Sequence, residues 1–191
     1  HQLLDKYHAL IKHQVFARRF QAKILETGIL MGEEGVVMGS SYISRFFRTP
    51  IQKGQSEYVI DHRHELTIQP SPSYMTGILY VVSIGAGVDK RVQELAATGK
   101  TTDAYLLNGI GAAAAETLAE VFMRYMETLI TLSSGKVLRR VSPGYGNWKL
   151  EEQKKLFHLL GVIPDIPVQL TESCIMYPEK STSGLMGEKL L

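Results

Sequence analysis

Residues 140–148 read Arg-Val-Ser-Pro-Gly-Tyr-Gly-Asn-Trp, a turn-forming segment set between a long helical pattern and a shorter one. Pro143 fixes its own φ and pushes Ser142 toward extended geometry, while Gly144 and Gly146 allow backbone conformations or close approaches that a side chain blocks. The backbone is therefore open to contact. Arg140 adds a permanently charged planar fork suited to a carboxylate or phosphate, and Tyr145 and Trp148 add flat faces on which a heterocycle can stack. By residue type the segment suits a zwitterion bearing an aromatic base. An ordinary Pro-Gly turn with a surface arginine has the same spacing.

Downstream, Glu151 to Leu160 has the spacing of an amphipathic helix with Leu156, Phe157 and Leu160 inward, stopped by Gly161 and Pro164. Val168 to Met186 reads as short strands broken by Tyr177-Pro178-Glu179-Lys180. Upstream, Val137 and Leu138 begin a strand leading into the Arg140 turn. Before them lies the longest periodic stretch, Thr102 to Leu132, capped by Thr102 or Asp103, with Leu107, Ile110, Ala114, Leu118, Val121 and Tyr125 as its apolar stripe. Gly109, Gly111 and Ala112 to Ala115 make the first half of this helix thin enough for close packing. Gly77 to Ile84, rich in Val and Ile, is a strand that turns at Gly85-Ala-Gly87 into a helix begun by Val88 and Asp89, the acid favourably placed near the positive helix end. Ile29 to Met38 shows two apolar runs split by Gly32-Glu-Glu-Gly35, a hairpin signature. Residues 3–27 read as helix, because Leu3, Leu4, Tyr7, Ile11, Val15 and Phe16 recur at three- and four-residue steps. Ser40 or Ser41 can cap a short helix through Phe47, ended by Thr49-Pro50.

The run RVSPGYGNWKLEEQKKLFHLLG, followed by Leu170-Thr-Glu-Ser-Cys-Ile-Met-Tyr-Pro-Glu-Lys-Ser-Thr-Ser-Gly184, resembles the S-adenosylmethionine-binding activation domain of cobalamin-dependent methionine synthase, closest to its short stand-alone relatives. The shared order, R-x-x-x-G-Y, L-T-E-S, M-x-P and K-S-x-S, is collinear over some forty residues. The resemblance implies an α+β fold, a twisted mixed or largely antiparallel sheet flanked by helices. It covers residues 77–191, preceded by a helix-and-hairpin region to residue 50 and an insertion over 51–76, all in one domain. It also implies a protein that reactivates a methionine synthase; the lack of an apolar span and of a signal pattern reads as cytoplasmic. S-adenosylmethionine supplies a methyl group to the cobalamin carried by that partner chain, after a flavodoxin-like reductant has reduced the inactive cobalt.

Carried over position by position, the resemblance assigns Arg140 to the carboxylate of the methionine moiety and the backbone around Ser142 and Gly144 to the adenine. Tyr145 shapes the pocket, and Glu120 contacts the ligand, as the last residue of Ala-Glu-Thr-Leu-Ala-Glu. Met176, Tyr177 and Pro178 face the cobalamin of the partner. No residue acts as a chemical catalyst, and no Ser-His-Asp or Cys-His arrangement is recognisable; the domain contributes positioning. Two departures stand out. An acidic residue of the full-length enzymes falls near Ser134 here, and a tyrosine they use lies beyond the matching end, so the pocket is expected to be partial, weaker, or completed by another chain. The alternative is a non-catalytic module that docks on a corrinoid protein without using S-adenosylmethionine.

Composition narrows the remaining classes. Lys plus Arg number 21 against 19 Asp plus Glu, too even for nucleic-acid binding by charge. One cysteine, Cys174, excludes an internal disulfide and a cysteine-rich metal site. No unbroken apolar run reaches the length of a membrane span, and no signal pattern opens the chain. His62-Arg-His64 places two imidazoles on one face of a strand, but no third metal ligand follows at a recognisable spacing. Gly109-Ile-Gly-Ala-Ala-Ala114 fits a dinucleotide fingerprint, which would suggest a nucleotide-dependent oxidoreductase. The strand before it is too short, however, and no acidic residue closes the next apolar run.

Overall fold

The computed structural model describes residues 14–24, 29–31, 36–38, 74–134, 137–161 and 167–189. Strand Tyr74–Ser83, here β4, carries the tightest burial: every residue from Gly77 to Ile84 is inaccessible to solvent or nearly so. Side chains alternate across a strand, so an unbroken apolar run demands cover on both faces. Leu79 and Val81 enter one core with Val141, Trp148, Leu156 and Leu185. Ile78, Tyr80 and Val82 enter another with Ala119 and Met186.

The remaining strands are β1 (Gln14–Ile24), β2 (Ile29–Met31), β3 (Val36–Met38), β5 (Val137–Val141), β6 (Gln169–Leu170), β7 (Met176–Tyr177) and β8 (Ser181–Lys189). Six of the eight form one sheet in the order β3-β2-β1-β4-β8-β5, and β6 with β7 makes a separate ribbon. Every pairing among the described residues is antiparallel. With helices α1 (Gly87–Ala97), α2 (Thr101–Ser134) and α3 (Gln153–Leu160), this is the expected α+β architecture. Among the described residues the sheet takes the antiparallel form of that expectation.

The helix expected over residues 3–27 is corrected over Gln14–Ile24 by β1, which pairs with β4 over ten residues from Gln14↔Ser83 to Lys23↔Tyr74, while residues 3–13 and 25–27 lie outside the described residues. Phe16, Phe20 and Ile24 are four apart, a step that lands on one face of a helix and equally on one side of a strand. Long-range pairing breaks that tie, because β4 needs a partner on each edge. The β2–β3 hairpin forms where the glycine-split runs predict it. The helix expected through Phe47, residues 50–73 with His62-Arg-His64, and Pro164 lie outside the described residues.

Helix α2 covers one face of the sheet. Its buried line runs through Ala104, Leu107, Gly111, Ala115 and Ala119, with Phe122 and Met126 half-buried beyond. The predicted stripe is thus rotated by about one position: Val121 and Tyr125 are 57% and 60% exposed. The smallest residues face the neighbours, so the helix axis can come close. Gly111 shows this directly, since a Cβ there would lie 2.7 Å from Val88 Cγ1 and 3.2 Å from Lys180 Cδ. Gly109, expected to share that role, faces open space. The dinucleotide-like glycines therefore sit inside a continuous helix, with no strand-to-helix turn to cradle a phosphate.

Thr101–Leu129 is also long and apolar enough, by length and averaged hydropathy, to cross a membrane, with only 22% of its best window buried. Its small-residue face against the sheet and its ion pair to β5, described below, account for the same composition in a sheet-covering helix. Helix α3 covers the other face with Leu156, Leu159 and Leu160 buried and Phe157 packed at the edge, and ends at Gly161 with φ of 79°.

Two substitutions distinguish the helix glycines. Gly111→Ala is expected to cost about 1–3 kcal/mol from overpacking against Val88, reduced by the usual helix-propensity gain, whereas Gly109→Ala should stabilise by about 0.5–1 kcal/mol. Denaturant unfolding of both variants measures the difference.

Candidate functional site

The end of β5 brings the Arg140 turn against α2. Arg140 is the penultimate residue of the strand and pairs with Met186 of β8, so it lies on the α2 side of the sheet. Its Nη2 forms a hydrogen-bonded ion pair with Glu116 Oε1 of α2. The arginine side chain is only 16% exposed, and its Nη1 is buried without a hydrogen-bond partner. A buried donor left unpaired is costly and is a ready point of attachment for an acceptor.

The following turn forms as its composition predicts. Gly144 and Gly146 take φ of 89° and 56°. Gly144 N donates to Trp148 O at 2.8 Å, Tyr145 N to Ser142 O at 3.3 Å and Trp148 N to Tyr145 O at 3.1 Å, closing the segment on itself. Tyr145 stands 72% exposed above it. Trp148 corrects the expectation that both aromatic faces are free: it is buried in the α3-side core, with its indole nitrogen unpaired. The apolar bulk of an indole outweighs its single N–H when a core is within reach.

Beneath Arg140 lies Tyr80 of β4, fully buried, whose hydroxyl is 3.5 Å from Ser142 Oγ and is an electrostatic neighbour of the guanidinium. Burial pushes the Tyr80 phenol above its usual pKa of 10.0, while Arg140 and the Ser142 hydroxyl pull it partly back. Burial works against the Arg140 cation, but Tyr80 and Glu116 together hold its pKa above the usual guanidinium range. The phenol reaches Ser142 because Gly184 of β8 has no side chain. A Cβ there would lie 2.7 Å from the Tyr80 hydroxyl, 2.9 Å from Ser142 Oγ and 2.5 Å from Val141 O.

Of the residues predicted from sequence, Arg140, Ser142, Gly144 and Tyr145 are thus contiguous at one end of the sheet. Glu120 is half-buried one turn further along α2, and the carboxylate that meets Arg140 is Glu116. Met176 packs against the α3-side core, Tyr177 is exposed, and Pro178 is buried, its carbonyl accepting from Ser181 Oγ at 2.7 Å. Ile175, 53% exposed, joins Tyr177 as the apolar surface of that ribbon.

Sequence reasoning missed Tyr80, Glu116 and Gly184, and also the device that ties the K-S-x-S segment down. Buried Lys180 stands 3.4 Å from buried Asp89 at the start of α1, and Asp89 Oδ2 accepts from Glu179 N at 2.8 Å. The Ser181 and Ser83 hydroxyls lie 2.8 Å apart, and Ser183 Oγ meets Gln153 Oε1 at 3.2 Å. A phenol hydroxyl inside the apolar run Ile78–Ile84 was the available signal for Tyr80, since buried polar atoms need partners. Among the described residues no group of three or more His, Cys, Asp or Glu could hold a metal ion.

A model of the family described as vitamin B12 dependent methionine synthase, activation domain, matches residues 67–189. That match begins ten residues before the stretch assigned to the family from sequence. No curated protein matches the chain. A solved crystal structure of the MetH reactivation domain bound to AdoHcy is similar in fold, with a TM-score of 0.68 at 16% identity over 97% of this chain. The chain spans 62% of the length of that structure.

The Tyr80 environment has a consequence for alkaline stability. A phenol whose pKa is raised on folding stabilises the native state below the unfolded value of 10.0, and that contribution is lost as pH rises through the folded value. Unfolding free energy is expected to fall above pH about 10, and Tyr80→Phe should flatten the fall. Denaturant unfolding on both sides of that pH provides the measurement.

Proposed function

The chain belongs to the family of the vitamin B12 dependent methionine synthase activation domain, and from that premise we propose that it binds S-adenosylmethionine at the end of β5 to reactivate a partner's cobalamin. S-adenosylmethionine would supply an electrophilic methyl group to the cobalamin of a methionine synthase chain once a flavodoxin-like donor has delivered an electron, its sulfonium leaving as the thioether of S-adenosylhomocysteine.

The observation that carries this reading is the unpartnered Arg140 Nη1. Glu116 engages one arm of the guanidinium, and the other, buried, makes no hydrogen bond, so an amino-acid carboxylate that gains access to it would complete the fork without displacing its anchor. The Ser142–Gly144 backbone, opened by its glycines, suits the adenine, and exposed Tyr145 can close over it. Glu120, on the same helix, is a carboxylate apt for the ligand's ammonium or sulfonium region. Solved relatives give support of a general kind, since the similar MetH domain was crystallised with AdoHcy. The role of the protein groups is to bind and orient, and no general base is required. Ile175 and Tyr177, exposed on the β6–β7 ribbon, are the side chains offered to the partner.

A second reading rests on the same ion pair. Glu116 neutralises much of the Arg140 charge before any ligand arrives, which suits a module that docks on a corrinoid protein and leaves S-adenosylmethionine alone.

Calorimetry separates the two. Binding of S-adenosylmethionine or S-adenosylhomocysteine that weakens about ten- to a hundredfold in Arg140→Ala supports the first. Millimolar or absent binding, indifferent to that substitution, supports docking. In the corresponding activity measurement, the chain should restore turnover to an oxidised methionine synthase lacking its own activation region, given reductant and S-adenosylmethionine.

A further inference from the structure

Most arginines on a strand edge sweep a wide cone; Arg140 is anchored, with its side chain only 16% exposed. Glu116 on α2 takes Nη2. From the sheet side, the Tyr80 phenol projects from β4 across the whole width of β8, through the gap left by Gly184, to the residues that begin the turn. Tyr80 and Gly184 are direct cross-strand partners, as are Arg140 and Met186 two residues further along β8. The phenol is completely buried and tilted against Phe122 of α2 with ring centroids 6.0 Å apart, so its own orientation is fixed by packing. Nothing in a Val- and Ile-rich central strand requires a hydroxyl at this position for folding. Phenylalanine would fill the same volume.

We infer that Tyr80 is a positioning residue for Arg140: its hydroxyl, threaded past Gly184 to Ser142 Oγ, fixes the start of the turn and with it the setting of the neighbouring guanidinium. Without it the cation keeps its ion pair to Glu116 but not its tilt. This rests on the reading of Arg140 as the carboxylate-binding group. It goes further in assigning ligand affinity to a residue of the sheet interior that no ligand atom need touch.

The test uses the full chain, its Tyr80→Phe variant and S-adenosylhomocysteine as probe. Calorimetry should show affinity about tenfold lower in Y80F. In heteronuclear spectra of the arginine side chains, the Arg140 Nε–H signal, assigned by its loss in R140K, should move and broaden without ligand. Global unfolding at neutral pH should remain close to wild type. If Y80F keeps both the wild-type affinity and the wild-type Arg140 signal, the inference is overturned while the proposed function stands. If the wild-type chain does not bind the probe, the proposed function fails and the Arg140 signal alone decides: moved in Y80F it supports positioning, unmoved it overturns it. Should Y80F not fold, the wild-type chain labelled with meta-fluorotyrosine carries the test, because R140K must shift the buried fluorine resonance. An unshifted resonance overturns the inference.

Discussion

A strand that is apolar on both sides has nowhere to rest except between two layers, and β4 imposes that requirement on everything around it. Leu79 and Val81 call for α3 on one face, while Ile78, Tyr80 and Val82 call for α2 on the other. Its two edges must be paired as well, and β1 and β8 supply ten and seven residues of ladder respectively. The chain reaches this arrangement with only short links near the site: one turn between β4 and α1, and one between the β6–β7 ribbon and β8. Ile84 N bonding Lys180 O at 3.1 Å closes those two turns on each other. The Arg140 turn is where the outermost strand of this scaffold leaves the sheet, and its precision is inherited from the layers beneath.

Local chemistry explains what could be read in advance. The run Gly77–Ile84, the glycine-split hairpin, the long helix and the Pro-Gly turn were legible because each depends on neighbours in sequence, although that helix begins at Thr101 and so takes its expected caps, Thr102 and Asp103, inside it. The N-terminal strand was not, because Phe16, Phe20 and Ile24 satisfy two periods at once and only distant β4 chooses between them. The stripe of α2 was misplaced by one position for a related reason. Periodicity scoring favours large apolar residues, whereas close approach favours Gly111, Ala115 and Ala119, so the helix turns its least hydrophobic-looking side inward.

The site divides in the same way. Arg140, Ser142, Gly144 and Tyr145 lie within six consecutive residues, so recognising one brought the others. Glu116, Tyr80 and Gly184 come from three other elements, and nothing in local spacing links them to Arg140. Choosing between Glu116 and Glu120 requires the rotation of α2 about its axis, which is set by packing on β4. The Asp89–Lys180 pair is hidden for another reason: burial of both partners turns two ordinary surface residue types into an internal tie between α1 and β8.

Trp148, the only tryptophan in the chain, lies in the core under α3, whereas Arg140 faces α2 across the sheet. The molecule thus carries an optical gauge whose ring sits in the interior while its backbone closes the turn proposed for the ligand. Its indole emission will follow the integrity of the interior and any shift that occupancy transmits through the Gly144 and Tyr145 bonds.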